Sequence, residues 1–374
     1  MHAATKHQHE QNQQAIMKFS TKREEILAQI DRFDVDKYAR SRNFITGGVS
    51  YLSPYLSRGF ITVPQVVKRL KDCGIGLAQG EKFIQELAWR EFYTRTWFQK
   101  GDAIFEDIRH PQEGIERFGI PKAVLESTTG IQALDGALKN FPATGYLQNH
   151  LRMYLAATIC NVAKYHWLEP AQWLYYHLLD GDLASNALSW QWCAGTFSNK
   201  LYYANQENIN RYTGSQQRGT FLDFEYEDLP SQPAPDHLCR SVEASLRFTP
   251  PTTLPLEILP DIPTFIFTHY TLDPSFHEGE EGNRILVLEP SHFAKHPMAP
   301  KTVKFISDLA ANIPGIQIYY GEYADLNLKG IFRDHPINAH FQGVREVHPS
   351  LAPGLQGEFN SFFSFWNKLS RQLS

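Results

Sequence analysis

Residues 180–192 read DGDLASNALSWQW and set two carboxylates, an amide and two indoles on one short stretch. Asp182, Asn186 and Trp190 stand at i, i+4 and i+8, so on a helix they share a face. Asp182, following a glycine, also suits the N-cap of that helix, where a carboxylate accepts the free backbone N–H groups of the first turn. Two other stretches repeat the pattern. Glu86, Trp89 and Arg90 in EKFIQELAWREF, and Asn149, Arg152 and Met153 in NHLRM, are spaced i, i+3, i+4. A charged or amide group beside an apolar surface suits the rim of a flat ring-bearing ligand. Taken singly, each has a plainer reading: a solvated face with one core indole, or an Arg152–Asp180 ion pair that is only structural.

The elements that must position these residues follow from composition and periodicity. A chain of 374 residues is longer than one average domain, so two domains are expected. Hydrophobic residues at 42% and charged residues at 20% supply a sizeable core. Aromatic residues at 13% fit either a densely packed interior or a flat polycyclic ligand. Cys73, Cys160, Cys193 and Cys239 are scattered without CxxC or His/Cys ligand spacing, so neither a disulfide framework nor a metal site is expected. The opening MHAATKHQHEQNQQ lacks a signal-peptide core, and no run approaches the roughly 20 apolar residues of a membrane span. A cytoplasmic protein with no membrane partner is the expectation. Residues 1–240 carry 26 basic and 26 acidic side chains, and the rest 10 and 14, so global charge argues neither for nor against a nucleic-acid partner.

Residues 1–22 read as a disordered tail and 23–235 as a helical domain, with strong segments at 81–100, 131–141, 147–166 and 170–180. A polar stretch then ends in a Pro-rich hinge near 230–236. Residues 250–374 read as a small α/β domain of unassigned role. Its β-rich runs are IPTFIFT, RILVLE and IQIYY, with TVKFISDLAANI as a helix between the last two, a βαβ unit. A tail helix with an aromatic face is expected at 359–373. No GxGxxG or phosphate-binding loop signature occurs in this region.

The strings SYLSPYLSRG (50–59), QELAWREFY (85–93), TGIQALDGALKNFPATGYLQNHLRM (129–153) and DGDLASNALSWQW occur in this order. Together they resemble the FAD-binding domain of the DNA photolyase/cryptochrome family, over residues of about 38–195. The resemblance implies a mainly α fold: an all-helical FAD-binding domain, here followed by the small α/β domain. It places Tyr38 and the stretch Val49, Ser50, Tyr51, Leu52, Ser53 on the phosphate side of FAD. It places Arg90, Arg152, Asp180 and Asp182 among the cofactor-binding residues, and Asn186 opposite flavin N5. Trp190 and Trp167 match the first two members of an electron-transfer chain whose third tryptophan would fall near residue 114, where HPQEGIERFGI has none. Trp89 and Trp192 match the walls of a lesion pocket, with Glu86, Asn149 and Met153 holding the flipped bases in the cyclobutane-dimer pattern.

This implies light-driven, FAD-dependent repair of pyrimidine dimers in single- or double-stranded DNA. The alternative is a cryptochrome-like blue-light receptor with a protein partner at 200–230 or on the C-terminal domain. Any second, antenna chromophore is left unidentified. Four departures bear on this: LQN stands for the family's MHN, Phe83 for a tryptophan at the adenine, and LYYANQENINRY for PYFRIFNP. The family's α/β antenna domain precedes the helical one, whereas 37 residues precede Tyr38 here and the βαβ region follows. That region reads as a permuted or reduced antenna domain, or as an unrelated interaction module.

Overall fold

The computed structural model describes residues 18–355 and 357–373, so the expected disordered tail lies outside the described residues up to position 17. Helices dominate from residue 23 to 213. α1 (Arg23–Asp31) and α2 (Val35–Ser41) are followed by the short α3 (Ser53–Ser57), which opens with Pro54. α4 (Val63–Asp72) starts at a capping box in which Thr62 and Gln65 satisfy each other's backbone N–H groups. α5 (Leu77–Lys100) buries Phe83, Ile84, Leu87, Ala88, Phe92, Tyr93 and Trp97. That recurrence by three and four is the stripe of a helix with one face in a core.

α6 (Gln132–Thr144), α7 (Asn149–Ala157), α8 (Leu168–His177), α9 (Leu183–Ala194) and α10 (Gln206–Thr213) complete the helical region. α9 begins at Asp182 and stops at Gly195, whose φ of 80° is left-handed. Two cores result. One is built from α6–α9 and encloses Trp167, Trp173 and Trp190. The other runs from α1–α5 straight into the C-terminal region, through Phe265, Phe267, Tyr270 and Phe293.

That region holds a five-stranded, all-parallel sheet: β1 (Thr264–Phe267), β2 (Asn283–Leu288), β3 (Ile316–Tyr320), β4 (Gly330–Arg333) and β5 (Gly343–Glu346). The spatial order is β3-β2-β1-β4-β5. The expected βαβ unit is present, with α11 (Pro300–Ala310) joining β2 to β3 in parallel register, Leu286 opposite Ile318. β4 and β5 carry the short sequences GIFR and GVRE, too brief for their periodicity to announce them. The tail helix forms as α12 (Phe362–Leu373) and packs on α5.

In doubly wound sheets the strand order reverses at a switch point, and the crevice at the carboxyl ends of the strands there ordinarily takes ligands. Here that crevice, between β1 and β4, faces the helical region. Tyr270, just past β1, reaches over the guanidinium of Arg58 at 5.5 Å. Arg58 is 0% exposed, and donates to the carbonyls of Leu179 (3.0 Å) and Gly181 (2.7 Å). Its own carbonyl accepts from Leu272 N at 3.0 Å. The neighbouring Gly59 has φ +61°, and a Cβ there would stand 2.2 Å from the Tyr270 carbonyl oxygen.

Gly59→Ala therefore combines left-handed strain with a backbone clash at the seam, and is expected to cost about 2–4 kcal/mol. Gly74→Ala, at φ +83° with nothing within 4 Å, meets strain alone and should cost about 1–2 kcal/mol. Denaturant midpoints of the two variants measure the difference, and equal shifts would contradict the seam's tightness.

Candidate cofactor site

The DGD stretch lies at the meeting point of α3, α5 and α7. Asp180 and Asp182 are 6% and 3% exposed, and an unpaired buried charge would be costly. Each is met by an arginine. Arg152 on α7 places Nη2 at 2.9 and 2.8 Å from the two Asp180 oxygens, while its Nε donates to the Leu147 carbonyl at 2.7 Å. Arg90 on α5 donates through Nη2 to Asp182 Oδ2 at 2.9 Å and through Nη1 to Ser57 Oγ at 2.9 Å. The Ser57 hydroxyl in turn donates to the Asp180 carbonyl at 2.8 Å, tying the two pairs together.

Asp182 Oδ1 accepts from Ser185 N at 2.7 Å, the N-cap that the Asp-Leu-Ala-Ser spacing suggests. Burial alone would raise the Asp182 pKa, but the Arg90 charge and the Ser185 N–H outweigh it and hold the carboxyl below its usual range. A depressed carboxylate contributes stability at neutral pH and loses it as pH falls through its folded-state pKa.

A tyrosine wall stands beside this hub. Tyr51 and Tyr146 have ring centroids 5.6 Å apart, and Arg152 lies 5.7 Å over Tyr146. Tyr146 is within electrostatic reach of Arg152, Asp180, Tyr51 and Tyr38, and burial pushes its hydroxyl pKa up. Tyr38 packs edge-on against Phe83 at 5.1 Å, and Phe83 is buried. Arg42 pairs with Glu86 at 3.6 Å, and burial raises the Glu86 pKa against that pull. The Val49–Ser53 stretch turns through Tyr51 at φ +53° before Leu52, which is fully buried, starts α3. Gln29 Nε2 donates to the Ser50 carbonyl at 2.6 Å. Tyr38, Tyr51, Arg152 and Asp180 thus cluster around Tyr146, with Glu86 beside Tyr38.

The remaining residues are distributed as follows. Asn186 donates through Nδ2 to the Ala171 carbonyl at 2.8 Å, which leaves Oδ1 as a free acceptor. It lines a cavity of about 230 Å³ with Phe105, Gln172, Tyr175 and His296. Trp190 and Trp167 are 2% and 0% exposed in the α6–α9 core. Asn149 is exposed at the head of α7, which Gln148 caps, and Met153 is half-buried against the same core. Trp192 is 36% exposed beside Tyr202, at 5.6 Å. Trp89 is stacked flat on Phe362 of α12, centroids 3.7 Å apart and planes at 9°.

Sequence reasoning missed Ser57, Arg58, Tyr146, Arg42 and Phe362. Tyr146 lies in the stretch TGYLQN, but nothing about its spacing sets it apart. The residues present fit FAD by their donor set. Guanidiniums and Ser50/Ser53 hydroxyls suit anionic and sugar groups, aromatic faces suit the rings, and Asn186 offers an oriented acceptor to a ring N–H.

Comparison with known proteins agrees. Residues 83–222 match the family model described as the FAD binding domain of DNA photolyase. The deoxyribodipyrimidine photo-lyase of Streptomyces griseus is 34% identical over 149 residues, 39% of this chain and 32% of that one. That of Vibrio cholerae is 31% identical over 192 residues, covering 46% and 39%. Cryptochrome DASH of Ostreococcus tauri is 28% identical over 208 residues, covering 53% and 37%. The chain thus spans about a third to two fifths of the length of these relatives. The family resemblance read from the motifs is borne out, with FAD as the cofactor named by the matching domain. Among the described residues no helix is long and apolar enough to cross a membrane, and no cluster of His, Cys, Asp or Glu is arranged to hold a metal.

Removing one partner of a buried pair leaves the other charge stranded. Arg152→Gln is expected to cost about 3–5 kcal/mol in the flavin-free protein. Adding Asp180→Asn should recover a large part of the loss, because the stranded charge is gone. Denaturant unfolding of the two singles and the double measures the coupling, and strictly additive losses would contradict it.

Proposed function

With residues 83–222 as a photolyase-type FAD-binding domain, we propose that the protein repairs cyclobutane pyrimidine dimers in DNA, driven by light. The observation that carries this reading is the pair of buried carboxylates, Asp180 and Asp182, each locked to an arginine from a different helix. When bound and reduced, FAD supplies the electron that light transfers to the dimer. The chain's own residues do the rest. Arg152, Asp180, Arg90 and Asp182 orient the ring system and its sugar, while Tyr38 and Val49–Ser53 take the phosphate side. Asn186, by the family resemblance, offers Oδ1 to a ring N–H, its Nδ2 being held by the Ala171 carbonyl. Glu86, with its proton affinity raised by burial, suits hydrogen bonding to the edge of a base. Trp192, Met153 and Asn149 complete the pocket for the flipped dimer.

A second reading is a blue-light receptor, favoured by one observation. Trp89, the other expected pocket wall, is covered by Phe362. α12 turns Phe362, Phe365, Trp366 and Leu369 inward as one buried stripe. Its approach is fastened to α5 by Glu91 on Leu351 N (2.8 Å) and Arg95 on the Leu355 carbonyl (2.7 Å). Under this reading light alters the seating of α12, and a protein partner reads it.

Purified protein with reduced flavin, illuminated with ultraviolet-damaged single- and double-stranded DNA, is expected to lower the dimer content measured by chromatography. Glu86→Ala should slow this without displacing FAD. Unchanged dimers in the unsubstituted protein would contradict repair, and light-dependent proteolysis within 357–373 would then favour the receptor. Trp190→Phe is expected to abolish photoreduction of the oxidised flavin while leaving FAD bound, read as absorbance under anaerobic illumination. Unchanged photoreduction would remove Trp190 from the electron path.

A further inference from the structure

We propose that Asp107 is the proton acceptor of the electron-transfer path, taking the indole proton of Trp167 when that residue is oxidised. The proposal rests on the photolyase-type reading above, in which electrons pass from Trp167 through Trp190 toward the flavin. Trp167 is fully buried, yet its Nε1–H donates to Asp107 Oδ1 at 2.8 Å. The other Asp107 oxygen accepts from Gln112 N at 2.7 Å, which fixes the carboxylate. Gln112 is itself tied to the same indole residue, its Oε1 accepting from Trp167 N at 3.0 Å and its Nε2 donating to the Tyr165 carbonyl at 2.8 Å. His166 Nε2 lies 3.7 Å from Asp107 Oδ1.

Outward from Trp167 the ring contacts run to His166, at 5.8 Å, and from there to Phe118, at 5.7 Å and 65% exposed. Neither ring is an easily oxidised indole or phenol, so this route offers no third carrier to take the charge to the surface. A one-electron-oxidised indole is a far stronger acid than indole itself, and a carboxylate already holding its N–H is placed to receive the proton. The step balances. One electron leaves Trp167 for the oxidised Trp190, the Nε1–H bond breaks and an O–H bond forms on Asp107. A neutral Trp167 radical remains beside a carboxylic acid. An exogenous thiol then gives the radical one electron, becoming a thiyl radical and releasing its own proton to solvent, and the indole proton returns from Asp107. Loss of the proton holds the oxidising equivalent at Trp167 and opposes its return to the flavin.

Asp107→Asn keeps an acceptor for the indole N–H but cannot take the proton. In the FAD-loaded protein with a thiol reductant, transient absorption after a flash is expected to show a neutral tryptophan radical. The N variant should show a cationic one that decays severalfold faster, with a severalfold lower yield of reduced flavin. The rise of the neutral radical should be slowed by D₂O in the unsubstituted protein, and the radical of the Asp107→Asn variant should show no such slowing. Should the variant not fold, light-minus-dark infrared spectra of the unsubstituted protein, with and without ¹³C-carboxyl aspartate, give the same answer through the protonated aspartate C=O band. A radical of unchanged protonation state in Asp107→Asn, or no labelled acid band, would overturn the proposal alone. No light-induced tryptophan radical in the unsubstituted protein would overturn the Trp167–Trp190 electron path, and the proposal with it, while leaving the repair reading to its own dimer assay.

Discussion

A single buried guanidinium organises this molecule. Arg58 has no exposure to water, and its cost of burial is offset in part by the carbonyls of Leu179 and Gly181 and by the face of Tyr270, while Nη1 has no partner among the described residues. Those carbonyls flank Asp180, so the same contact that seats the C-terminal sheet also shapes the DGD turn. Tyr270 adds a second hold. Its hydroxyl accepts from Leu183 N at 3.2 Å and meets the Tyr175 hydroxyl at 3.2 Å. With 180–183 fixed from below, Asp180 and Asp182 face Arg152 and Arg90, and neither charge is stranded.

The C-terminal sheet is turned to an unusual use. Its switch-point crevice, where doubly wound sheets ordinarily hold ligands, is narrowed by contact with the helical region. What remains open is a cavity of about 350 Å³ at the carboxyl ends of β1, β4 and β5, lined by Tyr270, His335, His348 and, across the seam, Arg90. The depressed Asp182 pKa includes a contribution from His335, so the sheet touches the electrostatics of the DGD turn as well as its backbone. The tail helix extends the same logic to the other flank, where Phe362 covers Trp89. Both faces of α5 are therefore set by residues far away in sequence.

Much of the helical region was legible because its signals are local. The i, i+4, i+8 spacing of Asp182, Asn186 and Trp190 needs only a helix, and the Asp182 cap forms where an Asp-Leu-Ala-Ser start invites it. The βαβ unit around α11 was legible for the same reason, while GIFR and GVRE are too short to show a period. Arg58 was not legible at all. In SPYLSRG it reads as the exposed end of a helix, since arginine is rarely fully buried, and only the carbonyls of a turn 121 and 123 residues distant make burial tolerable. The stacking of Trp89 on Phe362 is hidden in the same way, because aromatic periodicity shows that a face is buried without saying against what. Spacing placed Asn186 on a polar face, but its orientation depends on the Ala171 carbonyl of a neighbouring helix.

The central claim is that the DGD turn and its two arginines form the cradle of a flavin. Titration of the flavin-free protein with FAD, followed by quenching of flavin fluorescence, tests it directly in the unsubstituted chain and in Asp182→Asn. Saturable binding of one FAD per chain is expected, weakened tenfold or more by the substitution, which corresponds to about 1.4 kcal/mol. No saturation, or identical affinity in the two proteins, would contradict it.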